Sequence, residues 1–124
     1  MQLMEKSFAV IGASNNNEKF GYKVVLALKK ISSRIFPVNL SEKEILGLPV
    51  YSNLNGIKEK IDIIVFVVPP KVTFDVLKNS PNVESFLWFQ PGSFDTEVIN
   101  LCKKMGFLFE NKKCIMEESK KQKK

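Results

Sequence analysis

Gly12, Ala13 and Ser14 interrupt an apolar run, Phe8 to Ile11, and open a loop that continues through Asn15, Asn16, Asn17, Glu18 and Lys19. Small residues let a backbone approach a phosphate closely. Beyond the loop, apolar residues recur at Phe20, Val24, Val25, Leu28 and Ile31, which is helical spacing. A strand, a small-residue loop and a helix start are the parts of an anion site. Unpaired N–H groups and the positive end of the helix dipole face the same spot. A tight turn without a ligand is the alternative. The spacing is not the dinucleotide fingerprint, because the glycine after Gly12 is Gly21, and no Gly-Lys-Ser/Thr of a P-loop follows. The stretch points to a phosphate-bearing nucleotide and leaves the nucleotide open.

Other chemistry is excluded by what the sequence omits. It contains no histidine. That removes Ser-His-Asp and Cys-His nucleophile pairs, phosphohistidine chemistry and histidine-bearing metal sites. The two cysteines, Cys102 and Cys114, neither close a zinc site nor make a disulfide framework. Arg34 is the single arginine, so the bidentate contacts of a specific DNA reader are scarce. The net charge is +6, but four of those charges sit on lysines among the last six residues. We expect residues 1–118 to form one domain and 119–124 a disordered, lysine-rich tail. A nucleic-acid or membrane role for that tail is the weakest reading. With 124 residues, 44% hydrophobic and 26% charged, the chain has the size and composition of one soluble globular domain. No apolar run approaches the roughly 18 residues of a membrane span. The first residues lack a signal-peptide core, so a cytoplasmic location is expected.

The elements that must position the loop follow from periodicity. Residues 7–11 read as a buried strand and 20–31 as its helix. Residues 34–38 read as a second strand, which Pro37 demotes toward an edge. A helical turn is expected at 41–46, a short extended piece at 48–51 and a brief helix within 53–60. Residues 61–68 are nearly all apolar and rich in β-branched side chains, as in a central parallel strand buried on both faces. A helix at 71–78, a strand at 85–89, a helix capped by Ser93 and stopped by Gly106, and a last strand at 107–109 complete the pattern. Alternating strands and helices predict an α/β fold: a single Rossmann-like, doubly wound, mostly parallel sheet of about five strands flanked by helices.

In such a sheet ligands lie outside the carboxyl ends of the strands. Those ends carry Gly12, Ala13 and Ser14, then Asn39, then Pro69, Pro70 and Lys71, then Gln90, Pro91 and Gly92, then Lys112, Lys113 and Cys114. Pro and Gly also end strands without any ligand, so their shared edge is the stronger argument. An NAD site usually carries an acidic residue at the end of the second strand to hold the ribose. Here that position is Asn39, which argues against NAD, and Arg34 belongs at the strand's opposite end. Lys19, Lys23, Lys43 and Lys71 are available to a ligand with several phosphates, or are simply solvated surface.

Gly12-Ala13-Ser14 with Lys19-Phe20-Gly21, Phe36-Pro37-Val38-Asn39, the run from Glu44 to Tyr51, Asp62 to Val65 with Val68-Pro69-Pro70, Trp88 to Gly92 and Cys114-Ile115-Met116, in this order, resemble the CoA-binding domain family. These are small stand-alone Rossmann-like proteins related to the CoA-binding domain of the succinyl-CoA synthetase α subunit. The resemblance implies a CoA site at the strand carboxyl ends. Gly12, Ala13 and Ser14 would hold the pyrophosphate, with Lys19 and Lys43 near phosphates. Val38 and Asn39 would lie by the adenosine, and Val68, Pro69 and Pro70 by the adenine–ribose region or the start of the pantetheine arm. Gln90, Pro91, Gly92, Cys114 and Met116 would approach the thiol end. The synthetase works through a phosphohistidine in a second domain, and short family members often carry a histidine after the Cys-Ile-Met block. This chain reads Glu117-Glu118-Ser119 there. The reading is a CoA- or acyl-CoA-binding protein without catalysis of its own, monomeric or weakly dimeric, with room for a protein partner. Two alternatives stay open: a sensor for NAD(H) or another adenine nucleotide, and a subunit of an acyl-CoA ligase or transferase. Cys114 is either an inert packed thiol or, next to Lys112 and Lys113, one that pairs with CoA as a mixed disulfide under oxidation. Cys102 falls on the apolar face of its helix and is expected in the core.

Overall fold

A computed structural model describes residues 1–122. The chain runs β1 (Phe8–Ile11), α1 (Phe20–Lys29), β2 (Ile35–Val38), β3 (Glu44–Ile45), β4 (Leu48–Pro49), a 3-10 turn (Leu54–Gly56), β5 (Ile63–Phe66), α2 (Pro70–Lys78), β6 (Phe86–Phe89), α3 (Thr96–Met105), β7 (Phe109–Glu110) and α4 (Ile115–Lys120). Five strands form one sheet in the order β2-β1-β5-β6-β7. Every pair in it is parallel. The order reverses between β1 and β5, which makes that gap the switch point where α/β sheets hold ligands.

Both faces of the sheet are covered, and the period-2 alternation of each strand divides its side chains between two cores. Phe8, Val10, Ile63, Val65 and Trp88 pack with Val24, Val25 and Leu28 of α1 and Ile115 of α4. Ala9, Ile11, Ile64, Phe66, Leu87 and Phe89 pack with Leu77 of α2 and Val98 and Cys102 of α3. Cys102 is fully buried, and burial pushes its thiol up to about 11. β2 ends the sheet, as a strand carrying Pro37 must. Its free edge is partly covered by Tyr51, whose N–H donates to Pro37 O (2.9 Å) and whose carbonyl accepts from Asn39 N (3.0 Å).

Four expectations differ from the structure. Residues 41–46 form no helical turn. Glu44 and Ile45 pair with Pro49 and Leu48 in a small antiparallel hairpin. Its turn residues Leu46 and Gly47 both have positive φ (51° and 79°), the backbone of a tight hairpin turn. Residues 53–60 hold only the single 3-10 turn. Ser93 does not cap α3. Asp95 does, its Oδ1 accepting from Val98 N at 3.0 Å, while the buried Ser93 hydroxyl donates to Gln90 O at 2.7 Å. The fourth difference is at the C-terminus, where α4 runs through Lys120. Ser119 is buried, and Gln122 Oε1 accepts from Leu3 N at 2.8 Å. Lysines 123 and 124 of the expected tail lie outside the described residues.

At the pole opposite the strand carboxyl ends, β1 and β5 are pinned by a reciprocal pair. Ser7 N donates to Asp62 Oδ2 (2.9 Å) and Asp62 N donates to Ser7 Oγ (2.8 Å). Arg34 lies at this pole too, 3.6 Å from the same carboxylate. The Ser7 N–H holds the Asp62 carboxyl below its usual value against the opposing effect of partial burial. A depressed folded-state value means stability that is present above the unfolded value of about 3.9 and lost as pH falls through the lower folded value. Asp62→Asn should therefore lower stability at pH 7 and flatten that acid limb, measured by denaturant titration from pH 7 to pH 2. Asp95→Ala should remove a cap worth about 1 kcal/mol, lowering the thermal midpoint by roughly 4 °C.

Candidate functional site

The loop after β1 is fixed by two glycines. Gly12 sits at φ 97°, where a Cβ would meet Val67 O at 2.6 Å and Val68 Cγ1 at 2.7 Å. Gly21, in the first turn of α1, lies so close that a Cβ would stand 2.0 Å from Gly12 O. The start of α1 is thus pressed onto the backbone of the loop. Hydrogen bonds lock the arrangement from both sides. Gly12 N donates to Val38 O (3.3 Å) and Val67 N to Ile11 O (2.9 Å). Asn39 Nδ2 donates to Ala13 O (2.8 Å), and its Oδ1 accepts from Ser41 N (2.8 Å) and Glu42 N (3.0 Å). Asn15 reaches across to Glu44 O (2.8 Å) and to the Glu42 carboxylate. Among the described residues no protein acceptor takes the N–H of Ala13, Ser14, Phe20 or Gly21.

Two helices begin beside this loop without a capping side chain. α1 follows Lys19 and α2 follows Pro69, and neither has an acid in its first turn. Their N-termini open into one cleft of about 620 Å³. It is lined by Gly12, Ala13, Ser14, Lys19, Asn39, Val68, Pro69, Pro70, Pro91 and Gly92 of the candidate residues, together with Glu18, Phe20, Gly21, Val67 and Ser93. A second groove of about 540 Å³ shares Gly12, Asn39 and Val68 with the first and extends between Val38, Leu40, residues 52–55 and the face of α2 that carries Val72, Asp75 and Val76 and ends at the C-cap Asn79. The two adjoin to make an elongated depression: helix N-termini open into one part, and the other is an apolar slot.

Four candidate residues line neither chamber. Lys43 is exposed in the connection ahead of β3. Gln90 is 4% exposed and joins β6 to α4, its Oε1 accepting from Ile115 N (2.7 Å) and its Nε2 donating to Cys114 Sγ (3.3 Å). Cys114 is half-buried at the start of α4, and Met116 packs against the α1-side core. Trp88 Nε1 adds a bond to Lys113 O at 2.9 Å, so β6 side chains hold this whole segment. Asn39 does line the site, but its amide secures the loops and is not a free ribose ligand. Of the residues that sequence reasoning missed, the α2 set is recoverable as an i, i+3, i+4, i+7 face. Residues 52–55 carry no such signal.

A parallel sheet with its switch point beside a cleft at two helix N-termini defines a Rossmann-like α/β domain. Comparison with known proteins narrows the class. Residues 6–120 match the family described as CoA binding domain, and the chain belongs to that family. It is 39% identical over 67 residues to the alpha subunit of ADP-forming acetate–CoA ligase II from Pyrococcus furiosus, a match covering 53% of this chain and 15% of the relative. It is 38% identical over 73 residues to ADP-forming acetate–CoA ligase from Methanocaldococcus jannaschii, covering 59% and 10%. The chain therefore spans a small part of these relatives. Among solved structures, a conserved hypothetical protein from Pyrococcus furiosus superposes with TM-score 0.85 at 36% identity, covering 91% of this chain and 98% of that one. An acetyl-coenzyme A synthetase from Ca. Korarchaeum cryptofilum shares the fold, with TM-score 0.76 at 20% identity over 88% of this chain and 26% of that one. No helix among the described residues is long and apolar enough to cross a membrane.

The glycine interlock makes a sharp expectation. Gly21→Ala should cost about 3 kcal/mol through overpacking against backbone, lowering the thermal midpoint by roughly 10 °C. Gly56→Ala, where the new Cβ would meet only Tyr51 Cδ2 at 3.7 Å, should change it little.

Proposed function

We propose that the protein binds coenzyme A or an acyl-CoA along this elongated site and does no chemistry of its own. The observation that carries the reading is the opening of two uncapped helix N-termini into one cleft, beside a loop whose Ala13 and Ser14 N–H groups are free. A pyrophosphate supplies the negative charge and the acceptor oxygens that such a place lacks. Gly12, Ala13 and Ser14 hold it, with Lys19 beside them. The adenosine lies in the groove past Val38 and Val68. The pantetheine arm leaves over Pro69, Pro70, Pro91 and Gly92. Family membership and the ligase relatives support coenzyme A as the ligand. The lining offers no paired nucleophile and base: Ser14 Oγ accepts from Asn16 N at 3.0 Å, and histidine is absent from the sequence. Both cysteines are free thiols, in keeping with a cytoplasmic setting.

A second reading has specific support. The curated relatives are CoA ligases, of which this chain matches a small fraction. In that reading the domain presents CoA to a catalytic partner, and a ligase subunit should co-purify with it from native cells.

Thermal unfolding with CoA, acetyl-CoA, NAD, NADH, NADP and AMP tests the main reading. A ligand at 100 times its Kd adds about 2.7 kcal/mol, a rise of roughly 10 °C for a domain of this size. CoA or acetyl-CoA should give that rise. A rise with NAD or NADH and none with CoA would overturn the assignment and leave a nucleotide sensor in its place.

A further inference from the structure

We propose that Asp75 selects the base of the bound nucleotide by accepting a hydrogen bond from the exocyclic amine of adenine. The inference rests on the CoA reading above and adds to it a specificity-determining residue. Val72, Asp75 and Val76 lie at i, i+3 and i+4 of α2, with the C-cap residue Asn79 following at i+7, so one helix face forms a wall of the second groove. Leu40 and Leu54 belong to the rest of the lining. Leu40 is 91% exposed and Val72 is 42% exposed, so the slot offers apolar surface that no protein group covers. A flat aromatic ring is the ligand part that such a slot accepts.

The polar content of the slot then decides which ring. Asp75 is the only ionisable side chain among the described residues that line it. No hydrogen bond or ion pair engages its carboxylate among the described residues. Asn79, one turn on, donates its amide to the Asp75 backbone carbonyl (2.9 Å) rather than to the carboxylate. An ionised carboxylate is an acceptor only. It complements an edge that donates, as the adenine amine does, and opposes one that presents a carbonyl oxygen, as hypoxanthine does at the same ring position. The absence of Lys and Arg from this lining also keeps it a base site rather than a phosphate site. Phosphate charge belongs at the helix N-termini in the neighbouring chamber.

The test is calorimetric titration of the full chain with CoA and with its deaminated analogue, in which hypoxanthine replaces adenine. The wild type should bind CoA about tenfold more tightly than the analogue, the size of a partly solvated charge-assisted hydrogen bond. In Asp75→Asn that ratio should fall close to one, because the amide can turn either its N–H or its carbonyl to the base. Far-ultraviolet circular dichroism and an unchanged thermal midpoint would show that this exposed substitution leaves the fold intact. Equal binding of CoA and the analogue by the wild type, or an unchanged ratio in Asp75→Asn, would overturn the role of Asp75 and leave the CoA assignment standing. A folded wild type that binds neither compound would overturn both.

Discussion

Everything on the cleft side of this domain depends on the approach of Gly21 to the carbonyl of Gly12. That contact leaves no room for a single methyl group. It brings the dipole of α1 onto a loop whose direction is already fixed by the positive φ of Gly12 and by Val67 behind it. A side chain at either position would push the helix away, and the N–H groups of the loop and of the first turn would no longer face one point. Charge attraction at a helix N-terminus falls off within a turn. The closeness of the packing is therefore part of the electrostatics.

The sheet explains why this is the place. β1 and β5 are buried along their whole length, and both faces of the sheet are filled by helices. Side chains from the strand interiors are used in packing, so only the strand ends are left for a ligand. At one end Ser7, Asp62 and Arg34 tie the strands together. At the other end the connections to α1 and α2 leave on opposite faces of the sheet and the backbone parts. The cleft is the space that this divergence creates.

Much of this was legible in the sequence. Strands of four buried apolar residues punctuated by Gly or Pro announce themselves, and so does the loop that follows β1. The rim residues Gly12, Pro69 and Pro91 could be placed because strand direction puts all parallel carboxyl ends on one edge. The depth of a residue behind that edge is a different matter. Gln90 and Cys114 follow their strands as Asn39 follows β2, yet Gln90 turns inward to hold α4, and spacing alone does not show which way an amide will point. Asp95 displaced Ser93 as the cap because the backbone reaches helical geometry two residues later than the serine. At the end of the chain the lysines mask the helix that runs to Lys120. Charge dominated the composition, while the pair Ile115 and Ser119, one turn apart and both buried, is too short a pattern to declare a helix. The hairpin at Leu46 and Gly47 was hidden by a leucine in a left-handed conformation that leucine seldom adopts.

The hydrogen bond between Leu3 and Gln122 has a bearing on how the chain can be re-engineered. It makes neighbours of residues that are 119 positions apart in sequence. Domains whose ends adjoin tolerate circular permutation, since a short joint replaces a contact that already exists. The Leu46–Gly47 turn, exposed at Gly47, lines neither chamber and is a natural place for new termini. A chain cut there and joined across the old ends would keep all five parallel strands of the sheet in their present neighbourhood, with the cleft unaltered.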